Sequence, residues 1–113
     1  MKKYEVRTDT LEFNPDKFRT PSEIFNYWLT KDNDSEIVAF CDTFEKAQAT
    51  LAKQTPSTYR LVNGLARATI FYIESAEYFQ KEDGEWEFIS GSDYDAYAIE
   101  ALPEEEDEEE DED

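Results

Sequence analysis

Histidine is absent from this chain of 113 residues, and cysteine occurs once, at Cys41. Without histidine the commonest general base is missing, and so are Ser-His and Cys-His nucleophile arrangements. One cysteine and no histidine make a zinc site an unpromising expectation. A lone cysteine cannot close an internal disulfide, which fits a reducing cytoplasm. Glycine is scarce: Gly64, Gly84 and Gly91 are the only three, and they build no phosphate-cradling loop. No apolar run approaches the roughly 20 residues of a membrane span. Met1-Lys2-Lys3-Tyr4-Glu5 is charged and leads into no apolar stretch, so no secretory signal is expected. These absences point away from enzyme chemistry, from a cofactor and from a bound metal.

Basic residues are also missing from one end. Residues 1–67 carry ten basic and ten acidic side chains, whereas residues 68–113 carry nineteen acids and one base, Lys81. The whole formal charge of −18 therefore lies after residue 67. Residues 104–113 are ten consecutive acids. Such a run has nothing apolar to bury and repels itself, so a disordered tail is expected there, with Pro103 at the boundary. The remaining −8 falls on residues 68–103, within what reads as one domain over residues 1–103.

The 39% hydrophobic and 15% aromatic content suffices for a small core. A first strand is expected over residues 3–7, with Tyr4 and Val6 on one face and Glu5 and Arg7 on the other. Leu11 and Phe13 either extend it or anchor the following loop. Thr20-Pro21-Ser22-Glu23 has an N-cap threonine, proline at the first helical position and the capping-box glutamate. Ile24, Phe25, Trp28 and Leu29 then make one apolar stripe. Ile37-Val38-Ala39-Phe40-Cys41 reads as a short buried strand. Asp42 or Thr43 caps a second helix whose apolar face holds Phe44, Ala47 and Leu51. Residues 55–65 read as a connection. Residues 66–79 give the clearest strand, apolar on both faces at its centre as in a central strand, with a bulge expected near Ser75. Asp83-Gly84 marks a hairpin turn, and Trp86 and Phe88 alternate with Glu85 and Glu87 on the returning strand. Residues 92–102 fit either a last strand or a short helix. The order β-α-β-α-β-β predicts an α+β fold, with two helices on one face of a mostly antiparallel sheet of four to five strands.

Two further patterns have plain readings. Cys41 ends an apolar run beside Asp42, which suits a small buried hydrophobe rather than a reactive thiol. Asp32, Asp34 and Glu36 alternate like the opening of a calcium loop, but Ile37 stands where the glycine belongs and Thr43 where the bidentate glutamate belongs. Basic residues form no stripe, and a field of −18 repels phosphate, so direct nucleic-acid binding is not expected.

The set that stands out is Glu74, Glu77, Glu82, Asp83, Glu85, Glu87, Asp93, Asp95 and Glu100, which have only Lys81 among them. Alternate strand residues lie roughly 6.6 Å apart on one face. Glu85 and Glu87 then form a negative row opposite Trp86 and Phe88, which Asp93 and Asp95 extend. One reading is a solvated face that keeps the protein soluble. The other is a negative surface that docks on a basic groove of a partner protein, with Tyr78, Trp86, Tyr94 and Tyr97 as interface anchors.

Ile37-Val38-Ala39-Phe40 running into Asp42-Thr43-Phe44-Glu45-Lys46-Ala47, and the stretch Ala66-Arg67-Ala68-Thr69-Ile70-Phe71-Tyr72-Ile73-Glu74, resemble segments of small acidic proteins of Gram-positive phages, plasmids and conjugative elements. The resemblance carries no catalytic residues. It implies a mobile-element setting, in which acidic inhibitors of restriction or CRISPR nucleases occur, some of them DNA mimics. The resulting expectation is a non-enzymatic binding module acting through residues 74–100, assisted by the tail. The alternative is a structural or regulatory interaction domain whose acids only confer solubility.

Overall fold

A computed structural model describes residues 1–31 and 34–102. Along the chain come β1 (Lys2–Phe13), α1 (Pro21–Leu29), β2 (Glu36–Cys41), α2 (Phe44–Ala52), β3 (Ser57–Arg60), β4 (Ala66–Gln80) and β5 (Trp86–Ala98). The fold is α+β, with five strands in one sheet, all paired antiparallel. The expected tail at 104–113 and the boundary at Pro103 lie outside the described residues.

β4 organises the sheet. One of its edges pairs with the whole of β1, from Lys2↔Glu77 to Phe13↔Ala66. Its other edge is shared: β3 takes the first residues, Thr69 back to Ala66, and β5 takes Phe71 to Gln80. β2 lies outside β1. β1 thus runs the full length from Lys2 to Phe13, longer than the expected 3–7, because β4 offers a partner all along it.

Both helix starts form as their sequences dictate. The Thr20 hydroxyl accepts from the Glu23 N–H at 3.1 Å, and Glu23 Oε1 accepts from the Thr20 N–H at 3.1 Å and the Arg19 N–H at 2.7 Å. Those donors hold the Glu23 carboxyl below its ordinary pKa. Thr43 caps α2 through the Lys46 N–H at 3.1 Å.

The helices cover opposite faces of the sheet, not the one face expected. Ile24, Phe25 and Trp28 of α1 cluster with Ala68, Ile70 and Tyr72. Ala47 and Leu51 of α2 cluster with Val6, Cys41 and Ile73. Ile70 and Tyr72 alternate with Phe71 and Ile73 on β4, so the two clusters lie on the two sides of one strand. β4 is apolar on both faces because each face receives a helix. Burying an isoleucine of this kind contributes about 1.5–3 kcal/mol.

Two other expectations change and one open alternative is resolved. β2 is not a buried strand: Ile37 is 52% and Phe40 39% exposed, and only Cys41 is buried. It is an edge strand, and α2 reaches only its Ala39 and Cys41 side. Residues 55–65 are not a plain connection but hold β3 and its turn into β4. The Leu61 N–H donates to the Leu65 carbonyl at 2.8 Å, and Gly64 takes φ +89°. Residues 92–102 resolve toward strand, since β5 continues to Ala98. The β4–β5 register shifts between Ile73 and Glu74 and twice more between Ser75 and Tyr78, in the region where a bulge was expected.

Candidate functional site

β1 carries charges of alternating sign at every second position: Lys3, Glu5, Arg7 and Asp9. Alternate strand residues share a face, and these four share the face of α1. Trp28 of α1 donates its indole N–H to Asp9 Oδ2 at 2.7 Å. α1 covers only the end of this face near Leu11, Phe13, Ala66 and Ala68. Beyond Trp28 and Tyr72 the sheet is left open.

The floor of that open half is a polar network. The Arg7 guanidinium pairs with Glu5 Oε1 through Nη1 and donates from Nε to the Ser35 hydroxyl at 2.8 Å. Tyr72 donates its phenol to the same Ser35 oxygen at 2.7 Å. Tyr78 donates to Glu5 Oε2 at 2.8 Å. Burial disfavours the Arg7 charge, but Glu5, Tyr72 and Glu74 outweigh it and hold its pKa above the ordinary value. Burial raises the Tyr72 phenol and, first among its causes, the Tyr94 phenol, to which the nearby Glu74 charge adds. Further along, Lys3 is 3% exposed; its Nζ donates to Asp42 Oδ1 at 2.6 Å and sits 3.9 Å from the Trp86 ring centroid.

Above this floor lies a cleft of about 360 Å³, walled chiefly by Arg7, Glu74, Tyr78, Phe88 and Tyr94. The uncovered half-sheet makes it, because the β4–β5 shifts bring Tyr94 opposite Glu74 and Phe88 opposite Tyr78. Tyr78 meets Phe88 edge-on at 5.8 Å and Phe40 edge-on at 5.6 Å. Tyr94 lies 5.6 Å from Tyr72 and 6.0 Å from Trp28. The Glu74 carboxylate has no hydrogen bond or ion pair among the described residues, although it is half-buried.

The structure divides the expected site residues. Glu74, Tyr78 and Tyr94 line the cleft. Trp86 lies beside it over Lys3, and Tyr97 stacks on Phe25 at 4.6 Å. The other carboxylates stand apart. Glu82 and Asp83 form the hairpin turn, where Asp83 Oδ1 accepts from the Glu85 N–H at 3.0 Å. Glu85 is paired with Lys81 at 3.9 Å, and Glu77 with the Met1 amino group at 3.1 Å. Glu87 lies opposite Phe79, and Asp93 opposite Ser75, on the face away from the cleft. Asp95 falls in the register shift between Tyr94 and Ala96, so the expected row through Glu85, Glu87, Asp93 and Asp95 is broken.

Lys3, Glu5, Arg7, Asp9 and Ser35 escaped the sequence reading as site residues. The signal was the period-two alternation of charge along β1, which marks a strand face too crowded to be simple solvent exposure. Asp34 and Glu36 gather no third ligand: among the described residues no group of carboxylates or cysteine is arranged to hold a metal. Asp32 lies outside the described residues. No helix there is long and apolar enough to cross a membrane. Comparison with protein-family models, curated proteins and solved structures found no match.

Proposed function

We propose that the protein is a non-enzymatic acidic binding module that docks on a basic, nucleic-acid-binding surface of a partner protein. One observation carries this reading. From Lys81 to Asp95 every residue except Trp86 is exposed, and the segment bears Glu82, Asp83, Glu85, Glu87, Asp93 and Asp95 against the single cation Lys81. The β4–β5 hairpin thus presents carboxylates on a two-stranded arm, and Phe88 and Tyr94, 51% and 43% exposed, supply aromatic anchors on its cleft side. A basic groove built to attract phosphates is drawn to such a field. DNA-mimicking inhibition in a mobile element is the specific form of this reading that the sequence resemblance favours, and the lone cysteine suits action in the cytoplasm. Carboxylate-based catalysis fits less well, because both oxygens of Glu5 are already committed to Arg7 and Tyr78.

The test is affinity capture from lysate at low salt, with wild type beside a variant carrying Glu85→Gln, Glu87→Gln, Asp93→Asn and Asp95→Asn. The reading expects capture of a nucleic-acid-binding protein that duplex DNA displaces and the variant fails to retain. Equal capture by both proteins overturns it.

One observation favours a second reading, an accessory interaction domain. Among the described residues no strand pairs with the outer edge of β2, and Ile37, Val38 and Phe40 along it are exposed. Binding that persists in high salt and is abolished by Val38→Lys would support that role instead.

A further inference from the structure

Resting on the reading above, we infer that the aromatic cleft at Glu74 is the seat for one arginine side chain of the partner protein. The cleft is charged unevenly. Arg7 and Glu5 satisfy each other, while the half-buried Glu74 carboxylate has no hydrogen-bond donor among the described residues. An anion entering here meets two carboxylates, Glu74 and Glu5, against the single cation Arg7, which is already bound to Glu5 and Ser35. A neutral apolar group strips water from Glu74 and gives nothing back. A cation completes the site.

The walls select an organic cation. Phe88 and Tyr94 are half-exposed rings on β5, and Tyr94 lies directly across the strand pair from Glu74. A guanidinium is planar, weakly hydrated and forked. It can lie against aromatic faces while its N–H groups meet a carboxylate in parallel. A lysine ammonium is more strongly hydrated and offers no fork. The floor beside Glu74 is tied together: Tyr78 and Arg7 are bound to Glu5, and Ser35 is bound to both Arg7 and Tyr72. The site is therefore largely formed before binding, which lowers the entropic cost of docking.

The probe is Nα-acetyl-arginine methylamide, titrated into the full chain and followed by two-dimensional amide NMR. Saturable shifts are expected at the Glu74, Tyr78 and Tyr94 amides and at the Trp28 indole N–H. The citrulline analogue, equal in shape but neutral, should leave them unmoved, and the lysine analogue should bind several-fold more weakly. Glu74→Gln should weaken arginine binding about tenfold or more, as expected for a charge-assisted bond; Phe88→Ala, at an exposed position, gives a second variant should the first fold poorly. No saturable shift, or equal shifts with citrulline, overturns the inference. The variant neutralised at Glu85, Glu87, Asp93 and Asp95 separates this idea from the docking reading. It should keep arginine binding even if the partner is lost. If arginine fails to bind while capture of the partner persists, the cleft assignment falls and the docking reading stands.

Discussion

The Tyr78 phenol reaches across from β4 to donate to Glu5 Oε2 on β1 at 2.8 Å. Burial, then this bond and the Glu5 charge, push the Tyr78 pKa up to about 12. Because the folded value lies above the ordinary one of 10.0, the folded state holds this proton more tightly. Its stabilising contribution is complete below pH 10 and is lost as pH rises toward 12. Absorbance titration of the phenolates should show a late ionisation that Tyr78→Phe removes.

Arg7 and Glu5 form the second test. Their side chains are 21% and 10% exposed, so removing one leaves the other poorly solvated. Arg7→Met should destabilise by about 2–4 kcal/mol, somewhat below the full cost for a deeply buried pair. Urea unfolding of both single variants and the double variant should give a coupling of roughly 1–3 kcal/mol. Purely additive losses would contradict the pairing.

Two hairpin turns share one design. In Leu61-Val62-Asn63-Gly64-Leu65 and Lys81-Glu82-Asp83-Gly84-Glu85 the glycines take φ +89° and +92°. An added Cβ would meet nothing within 4 Å at either site, so the cost of substitution is conformational. Gly64→Ala and Gly84→Ala should each destabilise by about 1 kcal/mol, and asparagine at either site by less. Thermal unfolding of the four variants checks the ranking.

The acid limb of stability has named sources. The Lys3 hydrogen bond and charge hold Asp42 below its ordinary value, and backbone N–H groups do so for Glu23. Depressed carboxyls favour the fold above the unfolded values of 3.8 and 4.5, and lose that effect as pH falls through the folded ones. Asp42→Asn should lower the melting temperature at neutral pH and flatten the acid limb. With no histidine, stability should change little between about pH 5.5 and 7.5.

Salt should act in opposite directions on fold and on binding. A net charge of −18 strains the compact state, so added sodium chloride should raise the melting temperature. The same screening should weaken docking to a basic partner. A melting temperature that falls with salt, or docking that salt leaves unchanged, would argue against the electrostatic reading.

Local signals in the sequence were read well. The capping box at Thr20, the Thr43 cap and the two-sided apolar centre of β4 each depend on neighbours a few residues away. What escaped depended on distant partners. β2 looked buried because it is apolar, but its place at the sheet edge is decided by β1. The two helices looked equivalent, and only the alternation of Ile70 with Ile73 sends them to opposite faces. β3 was hidden although Asn63-Gly64 carries the same turn signal as Asp83-Gly84; with Tyr59 as its only aromatic, the preceding segment lacked a hydrophobic rhythm. The cleft depends on register shifts in β4–β5, which no residue pattern announces.

The pairing of β1 with β4 also governs the order in which the chain can fold as it is made. Lys2 waits for Glu77, and Phe13 for Ala66. Until the ribosome has released β4, β1 has only β2 beside it, and α1 and α2 lack the strand against which both rest. Contacts so far apart in sequence form slowly. The first half thus cannot complete either of its apolar clusters until that one late strand arrives.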